Sequence, residues 1–88
     1  MIHEIVPVKY FIEILKELSP NKKMSRQELV SRILERDLFF AVTDIQRAVN
    51  CLLESKIIYS HFSTLSINKK YTNEVETIID PSSNKELT

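Results

Sequence analysis

Glycine is missing from all 88 residues. Turns must therefore be built from Asn, Ser, Asp and Pro, and a glycine-rich phosphate loop is impossible. Cysteine is reduced to Cys51, so no internal disulfide can form. No apolar run approaches the ~20 residues that span a bilayer. The start, MIHEIVPVKY, has neither the basic residues nor the long apolar block of a signal peptide. Together these absences give the expectation of a cytoplasmic protein with no membrane partner. Metal-ligating side chains are equally sparse. His3 and His61 are far apart in sequence, and Cys51 has no second cysteine beside it. A zinc site needs three or four converging ligands, so no metal or other cofactor is expected. Nor does any nucleophile–base pair or pair of carboxylates in an apolar setting stand out, and the expectation is that the chain is not an enzyme.

The chain is long enough for one small domain with a thin stability margin. Its apolar content is ordinary for a globular protein. The domain is expected over residues 1–79, followed by a frayed tail over 80–88, where only Leu87 offers anything to bury. Net charge is zero, but the signs are unevenly spread. From Lys22 to Lys70 nine basic residues face five acidic ones, an excess of four positive charges between two acidic ends. A basic middle of this kind suits a polyanion-binding face.

Apolar spacing places a first helix at about Val8 to Leu18, with Pro7 in its opening turn and Val8, Phe11, Ile12, Leu15 and Leu18 as its core stripe. The phrase MSRQEL is a capping box. Ser25 can accept from the N–H of Glu28, Glu28 can reach back to Ser25, and Met24 and Leu29 form the flanking staple. A second helix follows to about Arg36, burying Leu29, Val30, Ile33 and Leu34. The connection DLFFAV is too apolar for an exposed loop, and its aromatics are expected to plug the core. A third helix, 43–54, is read with Thr43 as cap and Gln46 at the box position. Ile45, Ala48, Val49, Leu52 and Leu53 face inward, while Thr43, Arg47, Asn50 and Glu54 lie opposite with Gln46 at the margin. Beyond it, KIIYSHF reads as a strand, and LSINKKY can return as its hairpin partner. NEVETIID is open between a strand extension and a short helix. The fold class is therefore mainly α with a small β-hairpin, an α+β arrangement.

Three helices followed by a basic hairpin resemble a winged helix-turn-helix DNA-binding domain. ILKELSPNKKMSRQELVSRIL is similar to its first two helices, and VTDIQRAVNCLLESKII to its recognition helix running into the wing. Within that superfamily the third helix resembles the small regulators of bacterial fimbrial operons. Ser55 and Lys56 depart from the pattern by standing where such domains usually carry glycine. The resemblance covers Val8 to Tyr71 and implies a transcriptional regulator that binds double-stranded DNA. Thr43, Gln46, Arg47 and Asn50 would then meet bases, with Arg47 on guanine and Gln46 and Asn50 on adenine. Lys22, Lys23, Arg26 and Arg32 would meet the backbone near the second helix, and Lys69 and Lys70 from a basic wing. Tyr10 and Ile14 widen the apolar face of the first helix and suggest the contact of a two-fold homodimer.

A second class of function fits the same residues. Any amphipathic helix has a polar side, and Asp44 and Glu54 border the proposed DNA face. A winged-helix module that binds another protein and not DNA, such as a phage- or plasmid-borne inhibitor, is the alternative.

Overall fold

A computed structural model describes residues 6–37 and 39–80. Among these residues, four helices and one hairpin make a winged-helix-like layout. The helices are α1 (Val8–Leu18), α2 (Arg26–Arg36), α3 (Val42–Glu54) and α4 (Thr72–Ile79). The antiparallel hairpin of β1 (Ile58–His61) and β2 (Thr64–Ile67) lies between α3 and α4, and a 3-10 turn at Lys69–Tyr71 leads into α4. The open segment NEVETIID is thus helical, a fourth helix beyond the three expected. No helix among the described residues is long and apolar enough to cross a membrane. His3 and the expected tail beyond Asp80 lie outside the described residues.

The core forms where the helical stripes meet. Ile14, Leu15 and Leu18 of α1 pack with Leu29, Val30 and Ile33 of α2 and with Ile45, Ala48, Val49 and Leu52 of α3. Ile58, Leu65 and Val75 close it from the hairpin and α4. On α1 the stripe is rotated from the expected one. Tyr10 and Ile14 are 4% and 0% exposed, whereas Val8 is 68% exposed and Phe11 and Ile12 are only partly covered. The expected dimer residues Tyr10 and Ile14 are thus interior residues, because α2, α3, α4 and β2 of the same chain all pack against α1. The Tyr10 ring meets Phe40 edge-on at 4.7 Å. Phe40 plugs the core as expected, but its neighbour Phe39 is 90% exposed. Leu38 falls outside the described residues.

Helix ends follow local chemistry in two cases and tertiary contact in a third. Ser25 Oγ accepts from the N–H of Glu28 at 3.1 Å, as the capping box requires. The reciprocal bond is not made. Glu28 turns instead to Arg32, one turn along α2, at 3.0 Å. Ser25→Ala should therefore destabilise the domain by about 1 kcal/mol, and Glu28→Ala by much less. Denaturant titration of both variants checks this; equal losses would mean that the two-way box exists in solution.

The far end of α3 closes as a Schellman motif. Lys56 N–H bonds the Leu53 carbonyl and Ile57 N–H bonds the Leu52 carbonyl, both at 3.1 Å. This geometry needs a left-handed residue, and Lys56 supplies it at φ 64. The missing glycine is thus a missing residue type and not a missing motif. Lys56→Gly should stabilise the fold by about 1 kcal/mol, since a side chain in that region is crowded against its own carbonyl. A thermal melt gives the answer, and a lowered midpoint would contradict the assignment.

Thr43 does not cap α3. The helix begins one residue earlier, with Ala41 at the cap position and no side-chain cap bond. The Tyr10 hydroxyl accepts from Ala41 N–H at 3.0 Å instead. A contact 31 residues distant in sequence thereby fixes where α3 begins.

Candidate nucleic-acid interface

The outward face of α3 carries Thr43, Arg47 and Asn50, with Gln46 half-buried at its edge towards α2. The structure joins α2 to this face through Arg26. Its Nη1 donates to Gln46 Oε1 at 2.9 Å and to Asn50 Oδ1 at 3.0 Å. The winged-helix resemblance puts Arg26 on the DNA backbone; here its Nη1 hydrogens are bonded to two side chains of α3 at the half-exposed surface. Arg47 is held by Asp44, one turn back on α3, at 3.2 Å.

The remaining cations are sorted differently from the sequence expectation. Arg32 lies about 120° around α2 from Arg26 and is bound to Glu28, so it does not join this face. Arg36 reaches α1, pairing with Glu13 at 2.7 Å and Glu17 at 3.0 Å. The wing itself is not basic. From Ile58 to Ile67 the hairpin contains no lysine or arginine. Its two-residue tip is Phe62–Ser63, both with positive φ, as a type I′ turn demands. Lys69 and Lys70 lie beyond β2, in the 3-10 turn, where the Lys70 ammonium sits 5.6 Å from the Tyr71 ring centre. The two lysines fall outside the expected wing because the strand ends at Ile67. Asn68 accepts from Lys70 N–H and starts the 3-10 turn there.

Lys69 nevertheless finds a neighbour. Lys23, from the α1–α2 turn, and Lys69 line one cavity of about 280 Å³, together with Tyr59, Ser66, Thr72 and Glu76. Lys22 and Lys23 have no ion-pair partner among the described residues, and neither does Lys69. Lys23 is three residues from Arg26, a backbone reach of at most ~10 Å. Met24, between them, is pinned to the hairpin by a pair of backbone bonds to Leu65, at 3.2 and 2.7 Å. Lys23 and Lys69 thus share one cavity, and Arg26 shares hydrogen bonds with the face of α3. The link at Arg26 is not visible in the sequence, because no local pattern joins residue 26 to residues 46 and 50. Only the helical spacing of Gln46 and Asn50 hints that they act together.

Among the described residues no group of three or more His, Cys, Asp or Glu side chains converges to hold a metal ion, and Cys51 is exposed. Comparison of the chain with protein-family models, with curated proteins and with solved structures found no match.

Proposed function

We propose that this domain binds double-stranded DNA in the cytoplasm as a small transcriptional regulator, laying α3 in the major groove. The observation that carries the reading is the polar face of α3, where Arg26 holds Gln46 and Asn50 and Asp44 holds Arg47; Lys23 and Lys69, lining one cavity, add positive charge. An exposed helix of this length fits the groove, and lysines on its flank meet phosphates without needing fixed geometry. Arg47 is the candidate for guanine, exchanging Asp44 for the base edge on contact. Competition binding with a selected site and its single-base variants tests this. Arg47→Ala should cost about 1–3 kcal/mol on the preferred site and relax choice at one base pair. Unchanged affinity and preference would remove α3 as the reading element. A two-fold homodimer remains part of the proposal. Its contacts must come from surface residues such as Val8, Phe39 or Val42, all exposed apolar side chains.

The second reading is a protein-binding module. It is favoured by Phe39 and by Phe62 at the hairpin tip, which is 89% exposed. On that reading no duplex is bound even at low salt, and Phe62→Ser abolishes capture of the partner while Arg47→Ala does not.

A further inference from the structure

An arginine side chain has donors only. The Nη1 atom of Arg26 carries two hydrogens, and the amide oxygens of Gln46 and Asn50 lie 2.9 and 3.0 Å from it. Chemistry therefore decides which end of each amide faces the guanidinium. Were either amide reversed, its NH2 group would oppose a donor with a donor. Gln46 and Asn50 stand one turn apart on α3, so the two amides are stacked. Both turn their oxygens to Arg26 and their NH2 groups away from it.

We infer that Arg26 is a positioning residue that makes Gln46 and Asn50 select guanine over adenine. This inference rests on the DNA-binding reading. A free Gln or Asn reads adenine by accepting from N6 and donating to N7. That pairing needs the amide oxygen. Here each oxygen already faces a cation, so an adenine N6–H approaching it would bring a second positive hydrogen against the guanidinium. Guanine presents two acceptors, O6 and N7, on the same edge and asks only for N–H groups. The clamp thus reverses the base preference that the residue types alone imply. It also commits both Nη1 hydrogens of Arg26 to α3, leaving fewer of its five donors for a phosphate.

The test uses the full chain and Arg26→Met, which keeps an unbranched apolar stem and loses the charge and donors. Duplexes vary only by G or A at the positions facing Gln46 and Asn50. The wild-type chain should favour G by roughly tenfold or more at those positions. In Arg26→Met the preference should move towards A, with the slope of log affinity against log salt unchanged. Arg26→Lys, whose single ammonium lacks the planar fork, should fall between the two. An equal loss on every sequence, with the salt slope reduced by about one unit, would overturn the inference and make Arg26 a phosphate contact.

A second arm needs no DNA. In the free protein, the side-chain NH2 signals of Gln46 and Asn50 should report restricted motion that Arg26→Met releases, while the backbone signals show a retained fold. Unchanged side-chain signals overturn the clamp itself. If those signals do respond but the wild-type chain binds no duplex at low salt, the DNA reading fails and the base-choice inference fails with it. The clamp would then stand as an α2–α3 tie.

Discussion

Ile14→Glu should abolish the folded state, and Ile14→Ala should remove about 2–5 kcal/mol of stability. Ile14 is 0% exposed, in the middle of α1, among the residues that α2, α3, the hairpin and α4 all cover. A domain of this length has a total stability of only about 4–13 kcal/mol. Loss of a buried isoleucine consumes a large share of that margin. An unpaired carboxylate in the same place adds a desolvation cost that the fold cannot offset with any partner. Circular dichroism with denaturant titration is the direct measurement. Sedimentation of the same variants separates this outcome from the one the sequence suggests. A dimer-contact residue, on substitution, yields a folded monomer; a core residue yields an unfolded chain. A folded, cooperative Ile14→Glu monomer would show that α1 is covered by a partner and not by its own chain.

Affinity for duplex DNA should fall roughly 150-fold between about 50 and 200 mM salt. The figure counts four lysines as phosphate contacts: Lys22, Lys23, Lys69 and Lys70. Each neutralised phosphate releases about 0.9 counterion, so four contacts give a slope near −3.6. Arg32 and Arg36 are omitted because Glu28, Glu13 and Glu17 hold them. Arg26 is omitted because it holds Gln46 and Asn50. Lys23→Ala together with Lys69→Ala should therefore halve the slope, and Arg32→Ala should leave it alone. A steep slope that survives the double lysine substitution, and falls with Arg32→Ala, would place the phosphate contacts on the other side of α2. A chain that binds no duplex at low salt is better described as a protein-binding module.

Much of this architecture is legible in the amino-acid sequence. The spans of α1, α2 and α3, the Ser25 cap and the inward residues of α2 and α3 all follow from spacing and capping chemistry. So does the outward set Thr43, Arg47 and Asn50, because a helix of known phase has only one polar side. These features depend on residues within a turn or two of one another, and a linear pattern records such neighbours. The charge excess between Lys22 and Lys70 is visible for the same reason, as a count along the chain.

Other features depend on groups that the chain brings together from a distance. Spacing marks Tyr10 and Ile14 as apolar but not whether another chain or the same one covers them; the packing of α2, α3, the hairpin and α4 around α1 decides that. Ala41 begins α3 because the Tyr10 hydroxyl, 31 residues away, receives its N–H. Lys69 and Lys70 leave the wing because β2 pairs with β1 only as far as Ile67 opposite Ile58. Arg26, a basic residue in a basic stretch, becomes an internal clamp only when α3 sets two amide oxygens within 3.0 Å of it. The sequence determined which residues could make a helix and which side of it would be wet. The tertiary structure decided which charges remain available to a partner, because availability is a property of what lies opposite each charge, and that is set by packing.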